Sequence, residues 1–355
     1  MKKSVRYWLV AGIILVLIQM ILGAITRLTG SGLSITKWDI ITGTFFPLTD
    51  SSWNHYFDLY KNTPQYQKIN FGMTLSEFKF IFFWEYFHRL WARLMGFVFL
   101  FPFIYFLIKK YLAKKDILNL SFVIILTVFV ASLGWIMVAS GLINRPWVNA
   151  YKLAFHLTAA LLVLLMLLKT YIDYNKRPFV VFYNISRNEK ISLNILMVLV
   201  FLQFFLGGIM SGMKAALVAP TWPLINDVFI PMYSINIFRI GDFLIGEYEQ
   251  NSVAPLIIQF WHRSVAYIVF LFILIFYIWN SIRIGVRNNY ILKLLLIVSI
   301  QLLLGILTLC YSVGKIPILL GVLHQIGGIV LVSFVFIYFY SSHFLNDNER
   351  NVDKE

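Results

Sequence analysis

Eight apolar stretches constrain this chain more than any other feature, each about as long as the roughly 20 residues a helix needs to cross a bilayer core. They fall near 8–26, 80–108, 118–140, 150–171, 191–212, 255–281, 290–312 and 317–341. Hydrocarbon offers no water to backbone N–H and C=O groups, so each stretch must satisfy them internally as a helix. Composition agrees, with 60% hydrophobic residues, 13% charged residues and a mean hydropathy of +0.78. The expected fold class is an all-α polytopic membrane protein with eight transmembrane helices.

A net charge of +14 raises the question of nucleic acid, and its distribution answers it. Lys2, Lys3 and Arg6 precede the first span; Lys109, Lys110, Lys114 and Lys115 follow the second. Lys169, Lys176, Arg177, Arg187 and Lys190 follow the fourth, and Arg283, Arg287 and Lys293 the sixth. Short basic segments of this kind mark the cytoplasmic face. With eight spans both termini are then cytoplasmic, the longer loops at 27–79 and 213–254 are external, and the partner is membrane lipid, with no nucleic acid. The first apolar run reads as a retained helix, because GAITR after it is a poor cleavage site. No transit peptide precedes it, which favours a bacterial plasma (inner) membrane. The single cysteine, Cys310, excludes an intrachain disulfide or thiol pair and reads as a small packing residue.

The external loops carry two local signals. Trp53, Tyr56, Phe57 and Tyr60 form either a short amphipathic segment on the bilayer surface or an irregular aromatic loop. Thr74 and Glu77 make a capping-box pattern, so the second helix should begin near Thr74 and protrude from the membrane.

An internal repeat organises the spans. Gln19, Leu22, Gly23, Trp38 and Pro47 recur 184 positions on as Gln203, Leu206, Gly207, Trp222 and Pro231. Glu85, His88, Arg89 and Ala92 recur 174 positions on as Gln259, His262, Arg263 and Ala266; Leu133 and Gly134 recur at 171 as Leu304 and Gly305, and His156 at 168 as His324. The chain therefore reads as two pseudo-symmetric four-helix bundles, 1–175 and 176–345, with a polar, disordered tail at 346–355. Four helices per half is an even number, so the repeat is parallel, about an axis along the membrane normal.

His88, His156, His262 and His324 lie on even-numbered spans at matched depth. Pro255 and Pro317 suit the first turns of the sixth and eighth helices and Asn149 caps the fourth; a histidine follows each seven residues later. All four should lie at one level in the outer leaflet. Imidazoles from facing helices can ligate a metal or haem iron, here as His88 with His156 and His262 with His324. Two ligands are too few for zinc or copper, whereas haem needs only axial ligands. Arg89 and Arg263 each follow a histidine, and either bind haem propionates or snorkel to headgroups. Where the first half has Glu85 the second has Gln259. Only a carboxylic acid exchanges protons, so acid–base work belongs to the first half, unless Glu85 merely pairs with Arg89 one turn on.

With these residues in view, the run INFGMTLSEFKFIFFWEYFHRLWARLMG from Ile69 to Gly96 resembles the signature of the haem A synthase family, in its mitochondrial and proteobacterial branch. QFWHRSVAY around His262, TWPL at Thr221 and LLGVLHQIGG around His324 are similar as well. The resemblance implies an oxidoreductase of haem A biosynthesis, which oxidises the C8 methyl of haem O to a formyl group by successive hydroxylations. It implies substrate haem at His88 and His156 with Arg89, Glu85 as the catalytic acid, and a haem b cofactor at His262 and His324 with Arg263. Haem sites would face the outer side, and haem O synthase and the assembling terminal oxidase are the candidate protein partners, with a homo-oligomer left open. External cysteine pairs carried by some bacterial members are missing, so no mechanism based on them operates here. The competing reading is a di-haem b-type electron-transfer protein resembling a quinol oxidoreductase, which needs two bis-histidine sites but no Glu85. A transporter would need broken helices and midplane charges, which the sequence does not suggest.

Overall fold

The computed structural model describes residues 2–37, 42–143, 145–175, 185–232, 248, 249, 251, 253–284 and 288–345. The polar tail at 346–355, together with Trp38, Lys176, Arg177 and Arg287, lies outside the described residues. Among those residues the structure is helical without strands: α1 Lys3–Leu28, α2 Asp50–Lys61, α3 Pro64–Lys68, α4 Leu75–Ile108, α5 Lys114–Ile143, α6 Ala150–Asn175, α7 Arg187–Gly212, α8 Ala254–Ile284, α9 Asn289–Cys310 and α10 Ile318–Tyr340. Eight of them, all but α2 and α3, are long and apolar enough to cross a membrane. The protein is a multi-pass membrane protein.

Helix starts follow side-chain chemistry. Thr74 and Glu77 close the capping box that opens α4, and Asn149 Oδ1 accepts from the backbone N–H groups of Tyr151 and Lys152 at 3.0 and 3.1 Å to open α6. Pro255 sits in the first turn of α8, whereas Pro317 is the residue before α10, fixing an extended entry instead of a helical turn. At 34 residues α4 is about 51 Å long, well beyond a bilayer core. Cys310 ends α9 and is exposed, a correction to its expected packing role: the last residue of a helix has few neighbours to pack on.

The chain divides into two compact units, Met1–Tyr174 and Asn175–Glu355. In the first, α1 and α4 pack antiparallel, with Trp8 Nε1 donating to Val98 O at 3.1 Å, Trp91 Nε1 to Leu15 O at 3.0 Å and Thr26 Oγ1 to Trp84 O at 3.2 Å. α6 runs antiparallel to α1: Lys2 N donates to Tyr174 Oη at 2.8 Å, and Leu167 lies over Gly12. Val5, Trp8, Leu9, Phe103, Phe106, Leu120 and Tyr174 form the core at that end.

At the opposite end α2 and α3 make a cap on the protruding part of α4. Trp53, Phe57 and Tyr60 are buried against Phe78, Ile81 and Phe82. The aromatic segment is thus an amphipathic helix, and its apolar face is covered by α4 instead of lipid. The Tyr60 hydroxyl donates to Gln65 Oε1 at 3.1 Å and accepts from Asn70 Nδ2 at 2.7 Å, while Gln65 Nε2 holds the Gly30 carbonyl at 2.9 Å. Burial pushes the Tyr60 phenol up to about 12.

In the second unit α7 packs on α8 and α10, and α9 on α8 and α10. A buried carboxylate, Glu189, ties three helices at one end: it pairs with Arg283 at 2.6 Å and accepts from the Tyr338 hydroxyl.

Candidate functional site: two histidine pairs and two loop clasps

Each of the four histidines rests on a glycine of a neighbouring helix. A Cβ built on Gly23 would lie 3.2 Å from His88 Cε1, on Gly134 3.0 Å from His156 Cε1, on Gly207 3.2 Å from His262 Cε1, and on Gly305 2.9 Å from His324 Cε1. Any larger residue would have to push the imidazole aside, so the glycines set how deep each ring sits. These four glycines recur in the repeat, but their role as seats was silent in the sequence.

Glutamines flank the rings. Gln19 Nε2 donates to the His88 carbonyl at 3.3 Å and lies 3.2 and 3.3 Å from the two ring nitrogens. Gln203 Nε2 is 3.4 Å from His262 Nε2, and Gln301 Nε2 donates to the His324 carbonyl at 2.8 Å. His156 Nδ1 lies 3.0 Å from the Val130 carbonyl. A carbonyl only accepts, so Nδ1 carries the proton and Nε2 presents a lone pair, the state a metal-ligating imidazole needs.

In the second unit the His262 and His324 ring centres are 6.4 Å apart, with the planes at 81°. Imidazoles that held one metal ion between them at about 2 Å would have their ring centres a little over 6 Å apart, so this spacing would fit a single ion held by His262 and His324. His262 Nδ1 and His324 Nδ1 are both buried without a hydrogen-bond partner. In the first unit His88 sits on Gly23 of α1 and His156 on Gly134 of α5. Among the described residues no three histidine, cysteine or carboxylate side chains converge on one point.

Beside each pair a helix clasps the loop that follows the unit's first helix. Glu85 is 2% exposed. Its Oε2 accepts from Ser34 N at 2.7 Å, Ser34 Oγ at 2.7 Å and Ile35 N at 2.9 Å, and its Oε1 from Arg89 Nη2 at 2.5 Å. Arg89 also donates to the Ile35 and Lys37 carbonyls at 3.1 and 3.3 Å. In the second unit Gln259 Nε2 donates to the Ala215 and Ala219 carbonyls at 3.3 and 3.0 Å, and Gln259 Oε1 is buried without a partner. Arg263 donates to the carbonyls of Thr221 at 3.2 Å, Leu224 at 3.3 Å and Pro223. Glu85 thus pairs with Arg89, and both arginines are engaged with loop backbone. Ser34 and Ile35 escaped the sequence reading, because a backbone donor leaves no trace in composition.

The comparisons with known proteins agree over most of the chain. The model of a family described as cytochrome oxidase assembly protein matches residues 6–336. A heme A synthase of Flavobacterium psychrophilum is 39% identical over 341 residues, covering 94% of this chain and 96% of that one. One from Flavobacterium johnsoniae is 38% identical over 348 residues with the same coverage, and one from Rickettsia africae 35% identical over 339 residues, covering 94% and 96%. With the eight spans and the paired histidines, this likeness means that the chain belongs to the cytochrome oxidase assembly protein family, among the haem A synthases.

Proposed function

We propose that this protein is a haem A synthase, an oxidoreductase that oxidises the C8 methyl of haem O to a formyl group by successive hydroxylations. Haem O is its substrate, and the observation that carries the reading is the asymmetry between Glu85, held among Ser34, Ile35 and Arg89, and Gln259 at the corresponding place of a similarly built unit. A resident haem b belongs to the second unit on His262 and His324, and substrate haem to the first unit on His88 and His156. The 6.4 Å ring spacing supports the first placement. Bound haem supplies the redox-active iron.

The chain's own residues hold and orient. His88 and Glu85 are three residues apart on α4, so they project from one face about one turn apart. Glu85 Oε2 already takes three donors, while Oε1 faces only the Arg89 guanidinium and keeps acceptor capacity. A proton leaving the oxidised centre is therefore taken at Oε1, and Arg89 keeps that oxygen in place. The basic segments between spans support cytoplasmic termini, with the cap and both clasps on the outer side of the membrane.

The test is haem extraction and chromatography from the purified protein, expressed with and without a haem O-producing partner. Haem b alone without the partner, and haem A or hydroxylated haem O beside it with the partner, is the expected result. Glu85→Ala should keep its haem content and yield no formyl product; normal haem A output from that variant sinks the assignment.

A further inference from the structure

With Arg89 committed to Glu85 and to two loop carbonyls, the carboxylates of a bound porphyrin need other cations. Among the described residues of the first unit, two partly buried cations are placed for this. Arg27 is partly buried at the end of α1, and among the described residues its guanidinium has no hydrogen bond or ion pair. Lys152 is partly buried in the first turn of α6, its ammonium is likewise without a partner, and it lines an open groove of about 270 Å³ with Trp135, Ile136 and Ser140 of α5. A charge left at the membrane boundary without a partner costs free energy that a bound anion recovers.

Their placement is set by register. Lys2 meets Tyr174, and Gly12 meets Leu167, along the antiparallel α1 and α6. Continued at equal rise, that register brings Gly23, the seat of His88, level with His156, and Arg27 level with Lys152. Each cation is four residues from the histidine level, about 6 Å and on the same helix face. In the second unit Glu189 meets Tyr338, and Phe204 lies beside Gly328; the same continuation sets Gly207 level with His324 and places Ser211 and Leu320 one turn beyond. The cation pair belongs to the first unit alone.

Resting on the reading that the first unit takes substrate haem, we propose that Arg27 and Lys152 are its propionate anchors and set which edge of the ring is turned toward the reacting position. Two axial imidazoles leave a porphyrin free to rotate about the axis between them. The reacting methyl shares its pyrrole ring with one propionate, so fixing two carboxylates between a guanidinium and an ammonium restricts the reacting edge to the two methyls that lie beside propionates. A resident haem has no reacting edge to select, and the second unit carries Ser211 and Leu320 at this level.

The experiment is an absorbance titration of the purified full-length protein, its resident haem in place, with haem O and with the dimethyl ester of haem O. His156→Ala serves as the control that removes first-unit binding. The wild type should prefer the free acid by about a hundredfold or more, since each of the two charge-assisted hydrogen bonds contributes about tenfold to a hundredfold. Arg27→Gln and Lys152→Gln should each lose most of that preference, the double variant should bind acid and ester alike, and Arg27→Lys with Lys152→Arg should restore it. Unchanged resident haem shows that a variant folds; should Arg27→Gln not fold, the wild-type comparison and Lys152→Gln decide alone. No acid preference in the wild type, or an undiminished one in the double variant, overturns the proposal, as does wild-type formyl production by the double variant, which leaves the synthase reading standing. Acid preference lost in the double variant, in a protein that never makes the formyl product, supports the anchors and overturns the synthase reading instead.

Discussion

The loop after α1 turns N–H groups toward Glu85, whereas the loop after α7 turns carbonyls toward Gln259. One position on the second membrane-spanning helix of each unit does the same structural task, with opposite hydrogen-bond polarity. Glutamate and glutamine are close in shape, and yet the exchange is resisted on both sides: the second loop offers Gln259 only carbonyls, and in the first the Arg89 guanidinium meets one carboxylate oxygen of Glu85. The difference between the units is therefore built into the main chain, and the carboxylate of the first is kept by four donors around it.

Exchanging the two residues is the most severe way to break this comparison. Gln259→Glu places a buried charge against the Ala215 and Ala219 carbonyls, at a cost of about 3–5 kcal/mol. Thermal unfolding should show the loss together with loss of resident haem; a variant as stable as wild type would show that the second loop has no fixed polarity. Glu85→Gln keeps Ser34 and Ile35 through its oxygen but turns its N–H₂ toward the Arg89 guanidinium, donor against donor, for about 1.5–3 kcal/mol. Formyl product should vanish with it.

The glycine seats sharpen the comparison at a finer scale. Alanine at Gly305, with 2.9 Å to the ring, or at Gly134, with 3.0 Å, should disturb its histidine more than alanine at Gly23 or Gly207, each with 3.2 Å. Overpacking of this kind costs about 1–3 kcal/mol, and haem retention across the four variants should follow that order. Equal retention would mean that the helices spread without strain.

The smallest effect belongs to the cap of the first unit. Its Tyr60 phenol is raised to about 12 by burial and by the Glu85 charge, against the opposing Asn70 hydrogen bond. A group whose folded value is raised contributes stability fully present below about 10, its ordinary value, and lost as pH rises toward 12. Fluorescence of Trp53 should change over that window in the wild type and stay flat in Tyr60→Phe.

How far the sequence spoke depended on what kind of force was at work. Long apolar runs announce spans, because hydrophobic length is additive along the chain, and caps such as Thr74 and Asn149 announce helix starts, because one side chain does the work. Repetition singled out the four histidines, each of which lies against a glycine of a neighbouring helix. Silent were the interactions that use backbone or absence: the Ser34 and Ile35 donors, and glycines whose function is the lack of a Cβ. The α2 helix lay between these extremes, since its aromatic face was evident but the choice between lipid and α4 depends on a helix that protrudes.

The bond from Glu85 to Ser34 spans 51 residues of chain. At about 5–20 residues per second of synthesis, the loop after α1 emerges some 3–10 s before the carboxylate that holds it. During that interval the backbone donors of Ser34 and Ile35 have no protein acceptor at Glu85, and water must serve them. The clasp is thus a record of biogenesis: α1 cannot acquire its final loop until α4 has been inserted beside it, and a chain arrested between the two should be an early target for membrane quality control.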